Sequence, residues 1–376
     1  MTHVDAFRSC LDAHVRYVPG GLPEQVAEDC GIPYEQVLKM ASNESAYGAP
    51  AAALRAIPAA LDRISYYPSC AYDSLKTAIA EHHDVDFDAV ILGHGTEALI
   101  STIPSLYIEP DDEVIVGYPA YTLHEIVSSI AGAIVRRVPL REWRFDLDRI
   151  LAEVNERTKI VWMSSPNNPT GTIIYKEELE RFMEALPETV AVVLDQAYGE
   201  FVNDADYADG IDLVKSGRPN VIVLRTFSKA WGLAGLRAGY GICGRSIADR
   251  VDRCRQPFNL SLLCSVAGVA CLRESLGWLA DTVAKIHAGR DYLSRELERL
   301  GCDVVPSQSN FVLADMHVDA QKIMDALMAQ GIIVRPAVPW GLSTHVRTTV
   351  STPEGNERFI QALETYLAGT VAQTQD

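Results

Sequence analysis

Lys229 stands in the stretch RTFSKAWGLAGLRAGYG, residues 225–241. A Thr226/Ser228 pair precedes it, a glycine-rich run follows, and Arg237 lies eight residues further on. A lysine near its usual pKa is a poor nucleophile because protonation occupies its lone pair. Nearby cationic charge lowers that pKa and suits the amine to form an imine. Thr226, Ser228 and Arg237, with the amides at Gly95, Thr96 and Glu97 in the helix-opening run HGTEALI, have the composition of a phosphate cradle. A carboxylate that ends an apolar run, Asp195 of VAVVLD with Tyr198 just beyond, suits the task of holding a proton on a ring nitrogen. Taken singly, each feature also has an ordinary role. Asp195 suits a cap, Gly-Thr-Glu a capped helix start, a lysine beside serine a solvated surface, and SPNNPTG (165–171) a turn.

The joint requirement is more selective than its parts. An imine-forming lysine, a phosphate cup and a pyridinium partner together match pyridoxal phosphate.

These segments are far apart in the chain, so a fold must bring them together. Short apolar runs bounded by Gly, Pro and Asp alternate with helix-like stretches: AVILG (89–93), EVIVG (113–117), TKIVWMS (158–164), VAVVLD (190–195), VIVLRT (221–226) and AGYGIC (238–243). Such runs fit strands buried on both faces, and the alternation predicts an α/β domain with a mainly parallel sheet. Ligands in open α/β sheets gather at the carboxyl ends of the strands, where these polar residues fall. After about residue 260 one long helical region is followed by the short strands CDVVP, NFVLAD, IIVRP and HVRTTVS, with helices near 319–330 and 354–368 among them, which reads as a smaller α+β domain.

Composition narrows the function classes. The chain has 376 residues, 48% of them apolar, and a formal net charge of −17, a poor match to nucleic acid or an anionic membrane surface. Eight cysteines without a C-x-x-C pair argue against a zinc ribbon or a thioredoxin-like motif, and no metal site is expected. The N-terminus lacks an apolar core segment and no run approaches a membrane span, so a cytoplasmic protein is expected.

Over nearly its whole length the chain resembles the fold-type I pyridoxal-phosphate aminotransferases of class I/II, and within them the histidinol-phosphate aminotransferase branch. The segments that carry the resemblance include YVPGG, KMASNESAYGAP, YYPSCAYDSLKTAIA, ILGHGTEALI, YPAYTLHEI, SSPNNPTGT, VVLDQAYGEF, RTFSKAWGLAGLRAGYG, NFVLAD, IIVRP and VRTTVSTPEGNERFIQAL. It implies a mainly parallel seven-stranded sheet in a large domain (43–265), an N-terminal arm (1–42) that contributes to the small domain, and a small C-terminal domain (266–376). It also implies roles. Lys229 would form the Schiff base and shuttle the proton. Asp195 would pair with the pyridine nitrogen, while Tyr198 and Asn168 would bond the ring's phenolic oxygen. Tyr121 would stack on the ring. Thr226, Ser228, Arg237 and the Gly95–Thr96–Glu97 amides would take the cofactor phosphate. Tyr67 would reach that phosphate from the partner subunit of a homodimer. Arg347 would take a substrate carboxylate, with Asn43 also at the substrate site, and Tyr17 and Arg335 would bind a substrate phosphate.

The chain departs from that pattern at His94, at Asn43-Glu44-Ser45-Ala46, at Asp195-Gln196-Ala197, and at PAVPWG after Arg335, where Trp340 would shape the substrate mouth. The resulting expectation is ping-pong transfer of an amino group from an amine or amino acid, histidinol phosphate first, to a 2-oxo acid such as 2-oxoglutarate. An aromatic or other amino acid donor, an oxidase and a decarboxylase on the same scaffold are the alternatives. A non-catalytic regulator half is disfavoured by the acidic charge.

Overall fold

The computed structural model describes residues 10, 11 and 21–373, so Tyr17 lies outside the described residues. Strands in chain order are β1 (Leu38–Lys39), β2 (Val90–His94), β3 (Glu113–Tyr118), β4 (Ile134–Pro139), β5 (Thr158–Ser164), β6 (Ala191–Asp195), β7 (Val221–Thr226), β8 (Ala238–Cys243), β9 (Asp303–Val305), β10 (Phe311–Asp315), β11 (Ile332–Ile333), β12 (Arg335–Pro336) and β13 (His345–Thr349).

Seven of them form one sheet in the order β2-β8-β7-β6-β5-β3-β4, parallel throughout except for β8, which runs antiparallel to both of its neighbours. Alternate residues serve opposite faces, as the strand period of two requires. Val161, Met163, Val192, Leu194, Val221 and Val223 enter one apolar cluster, and Ile160, Trp162, Ala191, Val193, Ile222 and Leu224 enter the other. The register aligns Ser164 with Asp195, Asp195 with Leu224, Thr226 with Gly239 and His94 with Ala238. Asp195, Thr226 and the turns after β2 and β5 therefore share one edge.

The smaller sheet has the order β12-β13-β10-β9, all antiparallel. β1 of the arm pairs in parallel with β11, which joins the arm to this part of the fold. Helices Leu262–Glu274 and Leu276–Arg299 connect the two parts.

Three details differ from the sequence reading. The seventh strand, β4, was not among the runs picked out, because this edge strand carries Arg136 and Arg137 and is mostly not buried. The long helical region is two helices bent by 85° at Ser275. IIVRP divides after Ile333: its first half pairs with β1 and its second with β13. No single described helix is long and apolar enough to cross a membrane.

Candidate active site

Asp195 ends β6 with 6% of its surface exposed. Its Oδ1 accepts from the Ala197 amide at 3.1 Å. Its Oδ2 lies 3.2 Å from Nε2 of His124, itself 2% exposed and stacked on Trp162 with ring centroids 4.7 Å apart at 8°. The Trp162 N–H donates to Ser128 Oγ at 3.2 Å. His124 was not singled out from the sequence. It sits three residues after Tyr121 in a helix of ordinary composition, and only the fold brings it to Asp195.

Lys229 follows β7 in a half-buried turn. Its Nζ donates to the Ser42 carbonyl at 3.0 Å and lies 5.7 Å from the centre of the Tyr198 ring. The Tyr198 hydroxyl accepts from Asn43 Nδ2 at 2.9 Å, and its ring meets Phe311 edge-on at 5.2 Å. Asn43 is buried in the left-handed region (φ 57°), where a non-glycine residue is held only by its surroundings. Thr349 Oγ1 donates to its side chain at 2.9 Å and accepts from its amide at 3.0 Å.

Between β2 and β8 the donors converge. Arg237, also left-handed (φ 59°), directs Nη1 to Ser228 Oγ (3.4 Å) and to the Ala234 carbonyl (3.2 Å). The helix starting at Gly95 has no side-chain cap from His94, which is exposed, and the Gly95 N–H is spent on the Arg237 carbonyl at 2.8 Å. The amides of Thr96 and Glu97, the next in the first turn, have no intrahelical acceptor. Two glycines keep the approach close: a Cβ on Gly95 (φ +72°) would come within 2.7 Å of the Arg237 guanidinium, and one on Gly239 within 2.4 Å of the Thr96 amide. A guanidinium, the Ser228 hydroxyl and helix-start amides form a donor set that fits a phosphate monoester. The Thr226 hydroxyl builds the turn itself, accepting from Ser228 N–H at 3.0 Å and donating to the Ala238 carbonyl at 3.3 Å.

The Glu97 side chain adds something the sequence did not reveal. Its carboxylate lies 3.2 Å from Arg237 Nη2 and accepts from the Tyr121 hydroxyl at 3.0 Å. Burial, then the Glu97 charge and hydrogen bond, push the Tyr121 phenol well above its ordinary range.

Arg347 and Arg335 face each other across β13 and β12. Arg347 is 5% exposed and donates to Asn168 Oδ1 and to the Ala41 carbonyl. Asn168 is thus already engaged with Arg347. Tyr67 is 80% exposed and stacks on Phe258 of its own chain, with centroids 4.4 Å apart. Trp340, 6% exposed, donates its ring N–H to the Ala120 carbonyl at 3.0 Å.

Of the expected residues, the fold thus links Lys229, Tyr198 and Asn43, pairs Arg347 with Asn168, and joins Tyr121, Glu97, Arg237 and Ser228 in one chain of contacts, with Asp195 and Thr226 at the same sheet edge. Tyr67 stands apart on the surface.

The family model for aminotransferase class I and II matches residues 35–363. The chain is 39% identical to histidinol-phosphate aminotransferase 2 of Carboxydothermus hydrogenoformans, over 96% of this chain and 99% of that one. It is 39% identical to the histidinol-phosphate aminotransferase of Moorella thermoacetica, over 94% and 90% respectively. Among solved structures it is similar to histidinol-phosphate aminotransferase from Sinorhizobium meliloti in complex with pyridoxal-5'-phosphate: TM-score 0.87, 28% identity, 97% of this chain and 98% of that one.

Proposed function

The chain belongs to the class I and II aminotransferases, and from that premise we propose that it binds pyridoxal 5'-phosphate and moves an amino group from histidinol phosphate to 2-oxoglutarate. The observation that supports the reading is that Asp195 and the turn to Lys229 lie at one edge of the sheet, with Lys229 Nζ 5.7 Å from the centre of the Tyr198 ring. When bound there, pyridoxal phosphate supplies an electron sink for the bond that breaks next to the donor nitrogen.

The protein's own groups do the rest. Arg237, Ser228 and the amides of Thr96 and Glu97 would hold the phosphate, and Glu97 would orient Arg237 by keeping one face of the guanidinium occupied. Asp195 would hold a proton on a ring nitrogen, with His124 fixing the carboxylate's direction. Lys229 Nζ, held by a neutral carbonyl, is available to take a proton from the amine-bearing carbon of the donor and to return it. Tyr198 and Asn168 would face the ring's phenolic oxygen, Tyr121 would cover the ring, and Arg347 would pair with a carboxylate, bidentate when the partner is planar. Arg335 and Tyr17 would select the donor's phosphate, with Arg347 nearby, and Asn43 would serve the substrate site.

The same reading includes a homodimer in which Tyr67 reaches the partner's phosphate. An exposed apolar surface around Leu54, Leu61, Ile64, Tyr66 and Tyr67 supports it. All eight cysteines are free, which fits a cytoplasmic location.

The test is a donor panel. Histidinol phosphate, glutamate and aromatic amino acids are mixed with the holoenzyme, in air and without oxygen, and the visible band of the bound cofactor is followed. Histidinol phosphate should discharge the band in both atmospheres, and 2-oxoglutarate should restore it with stoichiometric glutamate. Release of CO₂ or H₂O₂, with no need for a 2-oxo acid, would overturn the assignment.

A further inference from the structure

Arg335 and Arg347 are direct partners across an antiparallel ladder. Like charges facing each other in this way repel and weaken the pairing. The aromatic face of Trp340 serves both cations: Cζ of Arg335 lies 6.0 Å from the indole centre and Cζ of Arg347 lies 5.5 Å from it. Arg347 also lies 5.3 Å from the Phe311 ring, so two aromatic rings flank it. The negative face of an aromatic ring offsets part of the repulsion that would otherwise drive two guanidinium groups apart.

Trp340 is tied in turn to the other domain. Its ring N–H donates to the Ala120 carbonyl and its own carbonyl accepts from the Tyr118 hydroxyl, both at 3.0 Å. Tyr118 ends β3, and Ala120 directly precedes Tyr121. The turn Val338–Trp340 closes at Gly341 (φ +76°), where a Cβ would stand 3.0 Å from the Tyr118 hydroxyl. One residue thus spaces the two cations and fastens them to the strand end that carries Tyr121.

We propose that Trp340 is a specificity-determining positioning residue, whose indole spaces Arg335 and Arg347 as neighbouring receptors for substrate anions and locks them to the β3 end. The inference rests on the reading that these arginines receive substrate anions. It predicts preference for substrates bearing a compact anion, a phosphate monoester or a carboxylate, distal to the reacting amine.

The experiment uses the holoenzyme and inorganic phosphate as the probe, titrated by calorimetry. Initial rates with histidinol phosphate and with glutamate run in parallel. Trp340→Leu removes the aromatic face and the N–H together, and it should weaken phosphate binding and raise KM about tenfold, with kcat much less affected. Trp340→Phe keeps the face and should recover affinity to within about threefold of the wild type. Should Trp340→Leu not fold, judged by its melting temperature and by the cofactor's visible band, Trp340→Met, whose unbranched flexible side chain adapts to the gap without a π face, answers the same question. Unchanged phosphate affinity in a folded Leu or Met variant overturns the proposal, as does a Phe variant as weak as the Leu variant. If the wild type binds phosphate but rejects histidinol phosphate as donor, the donor reading fails while the phosphate titrations still decide the role of Trp340.

Discussion

The two ends of the central sheet use the same residue types to opposite effect. At the start of β3, Glu113 is fully buried, and its carboxylate accepts from Arg136, Asn155 and Arg157. The hydrogen bonds from Arg136, with that of Asn155 and the charge of both arginines, outweigh burial and hold the carboxyl down at about 2. At the carboxyl edge the groups of the candidate site have fewer charged partners. Asp195 has one amide and one imidazole, Lys229 a neutral carbonyl, and Arg237 a half-exposed glutamate. A carboxylate saturated by cations stabilises a fold and has nothing left to give. Charges held by neutral or single partners keep bonding capacity for a ligand.

The largest break in that comparison comes from Lys229→Ala. Turnover should fall by about 10³-fold or more while the melting temperature of the cofactor-free protein changes little, because the half-buried lysine donates to one carbonyl and lies beside the Tyr198 ring. Single-turnover measurements on the loaded protein check this, and near-wild-type transfer would remove Lys229 from its role. Next come the arginines. Arg347→Ala should raise KM for glutamate about 100-fold. Arg335→Ala should raise KM about tenfold for histidinol phosphate and much less for glutamate. Equal effects on both substrates would merge the two arginines into one function.

The smallest effect belongs to the closed end. Glu113→Gln should lower the melting temperature by about 2–5 °C at neutral pH and leave kcat/KM of the folded enzyme unaltered. The folded value of about 2 lies below the ordinary 4.5, so the stabilisation from Glu113 is present above about 4.5 and is lost as the pH falls from there through about 2. The melting-temperature gap between wild type and variant should accordingly be flat near neutrality and close on acidification. A gap that widens in acid would contradict the assigned cause.

Legibility in the sequence followed the same physics. Six strands of the large sheet were readable because strands buried on both faces are unbroken apolar runs, and Asp195 and the turn to Lys229 mark where two of those runs stop. The edge strand β4 was not, since Arg136 and Arg137 on a half-exposed strand resemble a loop. The break at Ser275 has no proline to announce it, only Gly277 two residues on, which a helix interior also tolerates. At the site, the expectations for the cofactor side rest on short contiguous motifs. Partners supplied through the backbone left no trace in residue identity: the Ser42 carbonyl for Lys229, Ala41 for Arg347 and Ala120 for Trp340. His124 is 71 residues from Asp195, and only strand order brings them together.

The Arg347 bond to Ala41 and the Asn43 bond to Thr349 each join positions 306 residues apart. On the ribosome this sets an order of events. Every strand of the large sheet, Lys229 and Asp195 included, is synthesised before β13 exists, so the cofactor side is complete in sequence while the substrate side has not been translated. At about 5–20 residues per second that interval lasts several seconds or more. Until β13 arrives, the nascent chain carries the lysine without the arginine that would present it with an acid, and amino transfer has to wait for that strand.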